Sequence, residues 1–410
     1  MNVNKTSVPK TAAELGIGQA TELPAEQRAD ASNWTLPPYN RWSFQRVQQF
    51  TRTVRVPRSK QPSVLEENKQ ELSGIEFRSS SGEQSTVEEM LAQTYTDGLL
   101  VMHKGQIVSE QYFNGMNRST LNLIMSCSKS ITSAVVGIYI ESGVLDPSAK
   151  MTDYLPELSN TGIEGATLQQ ALDMQVGIRF NEDYADLDGD WRQCEVATGW
   201  REPPADYDGP RDQLNYARTL TERETEHGSV FHYQSILTNI IGCCLERTTG
   251  KAFAELISEY IWTPMGAEQE LVSIIDAAGN VAFEGGFNIC LRDFTRFGYL
   301  ISQDGRFQGQ QLVPKRWLHE CRNPNDRLIA AFSASEYAEI LPGGGYHNQW
   351  WVRNPQEGIT MALGVHGQML YVDCKRDFVA AKLSSQPEMA SITMAMDQIL
   401  AFEAIADAVD

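Results

Sequence analysis

The chain has 410 residues, enough to bury a large core, and 41% hydrophobic with 21% charged residues describes a folded globular protein. Its 53 acids against 34 bases leave a net charge of −19, which opposes binding to nucleic acid or an anionic membrane and permits cationic ligands. Seven cysteines without paired metal-ligand spacing, no signal-peptide core and no membrane-length apolar run lead to the expectation of a cytoplasmic protein with free thiols.

Residues 1–32 are polar and read as an N-terminal extension that wraps a surface. Trp34, Tyr39, Trp42 and Phe44 form an aromatic cluster expected to dock on the main body, and residues 57–82 read as loop. A short helix is expected over 87–95, then a buried strand over 98–102, a turn over 103–106 and a returning strand over 107–113. Apolar residues at helical spacing follow Ser126 until Gly143, and a short helix is expected over 168–174. Residues 181–215 are acidic and rich in Gly, Pro and Trp, which predicts a long functional loop. Helices follow over 235–248, 253–261, 292–302 and 314–321. Four strands over 349–352, 360–364, 368–372 and 378–383, joined by short polar turns, form a meander, and Ile392, Met396, Ile399 and Phe402 share one face of a last helix. Strands at both ends with helices between predict an α+β protein. Its α/β domain takes residues 33–155 and 283–410, an inserted helical domain takes 156–282, and the cleft lies between them.

The chemistry-bearing stretch is Leu123-Ile124-Met125-Ser126-Cys127-Ser128-Lys129-Ser130. If Ser126 opens a helix, Ser126 and Lys129 lie one turn apart on one face. That suits a serine nucleophile with an amine base: the helix start offers unpaired N–H groups to an oxyanion and favours the neutral lysine. On spacing alone, Ser126 is also a plain N-cap with Lys129 on a solvated face, and Ser7-Val8-Pro9-Lys10 has the same spacing in a polar tail. The nearly charge-free helix up to Glu141 predicts a buried Lys129, and a buried lysine needs a reason. A Ser–Lys site needs a third group to carry the proton to the leaving atom, and a tyrosine serves when a nearby lysine cation lowers its pKa. Tyr233, two residues before Ser235 at the start of an apolar helix, is the candidate; Tyr346, followed by Asn348, is the runner-up, and Tyr112 with Asn114 is discounted.

In this order the motifs resemble the penicilloyl-serine transferase superfamily, which holds class C β-lactamases, DD-peptidases and β-lactamase-like esterases. Further segments are similar to nylon-oligomer hydrolases, the 6-aminohexanoate-dimer hydrolases. They are Pro37-Pro38-Tyr39-Asn40-Arg41-Trp42, Gln93-Thr94-Tyr95-Thr96-Asp97, Asn181-Glu182-Asp183-Tyr184, Gln349-Trp350-Trp351, Gly364-Val365-His366-Gly367-Gln368 and Lys382-Leu383-Ser384-Ser385. The resemblance runs from about residue 33 to the end. It implies a β-lactamase/DD-peptidase-like fold with a five-stranded antiparallel sheet, an acyl-enzyme on Ser126, Lys129 as its base and Tyr233 as proton relay. It further implies oxyanion N–H groups at Ser126 and Val365, Tyr184 closing over the leaving group, and no metal or cofactor.

The expected partner is a small amide or ester, with a homodimer left open. Ser235 and His366 are candidate substrate contacts, and His366 reads equally as a structural residue at a strand turn. Where penicillin-recognising members carry Lys-Thr-Gly, this strand reads Ala362-Leu363-Gly364, or His366-Gly367-Gln368 if shifted, which argues against strong β-lactamase activity. The resemblance places Glu195 and Glu284 at the lip of the acyl site, and one or the other is expected to face the ammonium of a linear amino-amide. A carboxylesterase with weak β-lactam activity, and a binding protein that has lost turnover, are the other readings.

Overall fold

The apolar runs at the end of the chain form the centre of the molecule. The computed structural model describes residues 8–184, 186 and 188–410; residues 1–7 of the extension, Ser7 included, lie outside them. The main sheet takes β1 (Glu66–Glu67), β2 (Thr96–His103), β3 (Gln106–Tyr112), β4 (Gly345–His347), β5 (Trp350–Asn354), β6 (Ile359–Gly364), β7 (Gln368–Asp373) and β8 (Phe378–Ser384). Its order is β4-β5-β6-β7-β8-β2-β3-β1, antiparallel except for the parallel edge pair β1–β3. The expected α+β class is found; the six strands expected along the chain all lie in this sheet, and β1 and β4 join them, so it has eight strands where the resemblance implied five. β2 and β8 are buried along their whole length, so they read as continuous apolar runs without alternation. The β7–β8 turn is tightened by Asp373 Oδ1, which accepts from the N–H groups of Lys375 and Arg376 at 3.0 and 3.1 Å.

Six helices frame the cleft and the sheet beneath it: α1 (Val87–Gln93), α2 (Cys127–Glu141), α3 (Asp190–Ala197), α4 (Ser235–Thr249), α5 (Leu291–Ser302) and α6 (Ile392–Val409). α1 starts at Thr86, whose hydroxyl and the Glu89 carboxylate cap each other's backbone N–H. α4 stops at Gly250 in the left-handed region (φ 67°), a conformation glycine adopts without a Cβ penalty. α5 lies directly on the sheet: a Cβ on Gly298 would come within 2.6 Å of Val379 and 2.7 Å of Leu370. Phe294 and Phe297 are buried there, each worth roughly 1.5–3 kcal/mol of apolar transfer. α2 is buried all round from Cys127 to Gly137; its polar residues are bonded inside, Ser130 to the Gln349 carbonyl at 2.8 Å and Ser133 to the Asn348 carbonyl at 2.6 Å.

A second sheet, absent from the expectation, joins Thr53–Val56, Leu271–Ile274, Phe287–Cys290 and Leu121–Leu123 in that order. It crosses the expected boundary at 282/283, because Leu271–Ile274 pairs with strands on both sides of it. The expected loop over 181–215 carries α3 and the short helix Gln213–Ala217, with residues 185 and 187 outside the described set. The polar stretch 57–82 contributes the edge strand β1 and the strand Glu76–Arg78, and the helix Asp326–Ser333, begun by the Asn325 cap, is a further addition to the expected elements. Trp34 docks as expected and stacks between Phe50 and Trp200 at 5.9 Å from each ring. Among the described residues no helix is long and apolar enough to cross a membrane.

Candidate active site

Ser126 stands immediately before the first residue of α2, where backbone N–H groups have no intrahelical partner. The turn that presents it is strained: Met125 is held at φ 50°, a left-handed conformation that costs a side-chain-bearing residue about 1–2 kcal/mol. The Met125 carbonyl accepts from both the N–H (2.9 Å) and the hydroxyl (2.7 Å) of Ser128, which fixes the turn. The end of β6 presses against it. A Cβ on Gly364 would sit 2.7 Å from the Ile124 carbonyl, so glycine is required for this approach.

Lys129 is 1% exposed. Its Nζ lies 3.0 Å from Ser126 Oγ, 2.9 Å from Ser235 Oγ and 2.8 Å from the Glu284 carbonyl. Burial lowers its pKa to about 8, against the opposing pull of Glu182 and Glu284. The Ser235 hydroxyl accepts from Lys129 and gives its own proton to Glu182 Oε1 at 2.6 Å. Glu182 also accepts from the Ser235 N–H and from the Tyr184 hydroxyl at 2.8 Å. A carboxylate thus reaches the lysine through one serine. Sequence reasoning did not single out Glu182, one acid among many in a long acidic stretch.

Tyr233 is buried against Trp351, with ring centroids 5.5 Å apart, and Lys129 Nζ lies 4.9 Å from its ring centroid. Burial raises its phenol pKa well above 10, with Tyr346 and Glu182 adding to the rise and a hydrogen bond with Ser126 opposing it. The expectation of a lysine-lowered phenol is therefore corrected: Tyr233 is a neutral phenol, able to pass a proton on and unable to persist as a tyrosinate. Tyr346 stands behind it, centroids 6.1 Å apart, with a buried, unpartnered hydroxyl. Tyr112 is on β3 and donates to Glu110.

Two pockets meet at Ser126, and Tyr184, Val365 and Met389 line both. The larger holds about 150 Å³ and is lined by Tyr233, Trp351, Leu363, Met369 and the start of α6. The smaller holds about 30 Å³, room for about one or two waters, beside Glu195, Trp200, Glu284 and His366. Ser235 is not part of either lining; it is 1% exposed and bonded on both sides, so the expected substrate contact becomes a contact to Lys129. Glu195 lines the smaller pocket, but its Oε2 is shared by Arg192 and Arg201. Glu284 accepts from the Trp200 indole at 2.8 Å through Oε1, while Oε2 is buried without a partner among the described residues; burial raises its pKa. His366, at φ 60° in the turn after β6, donates from Nδ1 to the Gln386 carbonyl at 2.7 Å and leaves Nε2 unpartnered. Burial lowers its pKa to about 4, so it is a neutral ring that holds the turn to Gln386 and also lines the smaller pocket.

Residues 84–401 match the Beta-lactamase family. The 6-aminohexanoate-dimer hydrolase of Paenarthrobacter ureafaciens is 31% identical over 357 residues, 87% of this chain and 88% of that one. A Bacillus anthracis structure solved under the name of a 6-aminohexanoate-dimer hydrolase superposes with a TM-score of 0.85 at 28% identity, covering 94% of this chain and 98% of that one. A family VIII carboxylesterase shares the fold at 15% identity, with a TM-score of 0.56 over 77% of this chain and 95% of that one.

Proposed function

The chain belongs to the β-lactamase family of hydrolases, and from that premise we propose that it cleaves short linear amides and small carboxyl esters through an acyl-enzyme on Ser126. The observation that carries the reading is Lys129 Nζ at 3.0 Å from Ser126 Oγ with its pKa lowered to about 8. A fraction of this lysine is a neutral amine at neutral pH, and only the neutral amine can take the serine proton. Ser126 Oγ then attacks the carbonyl carbon, and the N–H groups of Ser126 and Val365 hold the oxyanion. Tyr233 gives its proton to the departing nitrogen or oxygen and regains one from the Lys129 ammonium, so no lasting tyrosinate is needed. Water attacks the acyl-enzyme by the same route in reverse, releasing the acid and restoring Ser126.

Linear amides of the 6-aminohexanoate-dimer type, an aminoacyl group joined to an alkyl amine, are proposed from the named relative, and esters from the shared fold of the carboxylesterase. Of the two acids, Glu284 suits a substrate ammonium better than Glu195, because its Oε2 has no partner among the described residues while Glu195 is already paired through Oε2 with two arginines. The missing strand lysine and the absence of Lys or Arg among the described residues lining either pocket disfavour penicillin carboxylates. Incubation with a slow ester or a fluorophosphonate should add one mass increment to the intact protein, on Ser126. Ser126→Ala should be folded and inert. An adduct elsewhere, or an active Ser126→Ala, removes the proposal; a protein that binds the ester without any burst of product is the non-catalytic reading.

A further inference from the structure

The two pockets at Ser126 differ in more than size. Tyr233 lines the larger and not the smaller. On the mechanism proposed above, on which this inference rests, the phenol must reach the leaving atom. The departing alcohol or amine therefore lies in the larger groove, and the acyl portion extends from Ser126 to the other side, toward Glu284. The groove is walled by Trp351, Leu363, Met369 and Ile392, and among the described residues none of its lining is charged.

The surrounding groups do not supply the missing charge. Lys129 is committed to the reacting centre. Lys382 is wholly buried behind the strand turn, its Nζ held 3.3 Å from the Thr94 carbonyl and 3.5 Å from that of Gly367. The nearest charges acting on Tyr337 in its wall are acidic: after burial, Glu182 and Glu336 both help raise its pKa. Gln398, 1% exposed, also lines the groove, and its amide N–H donates to the Met394 carbonyl at 2.9 Å. Its Oε1 is buried without a partner among the described residues, an acceptor that repels an anion and welcomes an N–H or O–H.

We infer that the leaving half of the substrate is an uncharged, largely apolar chain carrying at most a neutral hydrogen-bond donor at its end. An alkyl alcohol, an alkyl amine or a further amide unit of a longer linear oligomer fits that description. A leaving amine that ends in a free carboxylate, as the 6-aminohexanoate dimer's own does, fits worse: its charge would be desolvated with no cation to meet it, so among linear amides of that type those with an uncharged leaving half are preferred.

N-hexylacetamide and 6-acetamidohexanoate share the acetyl group and differ at the far end of the leaving chain. Calorimetric titration of both into Ser126→Ala should show the neutral compound binding at least about tenfold tighter, the scale of a charge left without a partner. Ile392→Arg, on an exposed residue at the groove's rim, should narrow or invert that ratio. Equal or tighter binding of the carboxylate, or no measurable binding of N-hexylacetamide, overturns the inference. Hexyl acetate against 6-acetoxyhexanoate reads the same ratio as kcat/KM in the unaltered protein. If neither ester is hydrolysed while the binding preference stands, the hydrolase reading falls and the groove assignment survives.

Discussion

Lys129 and Lys382 are both wholly buried, and in both burial drives the pKa down, to about 8 and about 7. Their surroundings separate them. Lys129 faces a serine hydroxyl at the cleft and is reached by Glu182 through Ser235. Lys382, on β8, faces two backbone carbonyls and the buried Asp97, whose own pKa burial raises to about 6 while Arg41 opposes the rise. Asp97 is tied in turn to Ser385 at 2.6 Å, next to the Lys-Leu-Ser-Ser segment that backs the strand turn. A low lysine pKa is thus a consequence of burial and does not by itself make a base; a hydroxyl 3.0 Å away beside an open pocket does.

The contrast breaks most sharply under exchange of either lysine for methionine. Lys129→Met should cut the acylation rate by roughly four powers of ten, as removal of one member of a concerted set does, with stability held or raised because a buried charge is gone. Lys382→Met should keep acylation within about tenfold yet cost about 1–3 kcal/mol in urea unfolding, because the buried Thr94 and Gly367 carbonyls lose their donor and Asp97 loses one nearby cation, and adding Asp97→Asn should restore part of that. Rate loss in the Lys382 variant and none in the Lys129 variant would reverse the assignment.

Tyr233→Phe should lower kcat by about two to four powers of ten with little change in affinity, whereas Tyr346→Phe should stay near the parent rate. A damaging Tyr346→Phe beside a benign Tyr233→Phe would move the relay. Glu182→Gln probes the lysine pair from the other side. Glu182 raises the Lys129 pKa, so its neutralisation should shift the acylation midpoint to lower pH, by up to about one unit, and leave Lys382 untouched. The smallest effect belongs to the smaller pocket. Glu284→Gln should weaken hydrolysis of an amino-terminated amide by about 1 kcal/mol, roughly fivefold, and spare a neutral ester, while Glu195→Gln should act on stability through Arg192 and Arg201. Equal losses on both substrates would show that Glu284 does not read the ammonium.

Stability carries the same contrast in its pH dependence. A lysine whose folded pKa is depressed binds fewer protons folded than unfolded between the two values. Stability therefore rises with pH from about 7 toward the ordinary lysine pKa through Lys382, and from about 8 through Lys129. Lys382→Met should flatten the first rise, read as Tm against pH.

The sequence carried the parts of this site that rest on strong local signals. The helix after Ser126 was legible because eleven successive buried residues include Lys129 as their only charge, and the four late strands because short polar turns separate apolar runs. The second sheet was not, since Leu121–Leu123 and Thr53–Val56 are too short for a period and are defined only by partners far along the chain. α3 was hidden because Gly189, Asp190 and Trp191 read as loop, while its stability comes from burying Trp191 and Cys194. The place of Glu182 depends on a contact across 53 residues to Ser235, which no spacing rule reports. Ser235 itself was found and misread, because a serine two residues after Tyr233 at a helix start does not reveal which side of the lysine it will occupy.

The proposed chemistry stands on Lys129, as a neutral amine, taking the proton from Ser126. Rapid mixing with p-nitrophenyl acetate across about pH 6 to 10 measures it, read as the rate constant of the p-nitrophenolate burst. The expected rate climbs about tenfold per pH unit, bends near pH 8 and levels above it, unchanged in shape in Lys382→Met and absent in Lys129→Met. A burst that is flat across that range, or one that survives Lys129→Met, contradicts it.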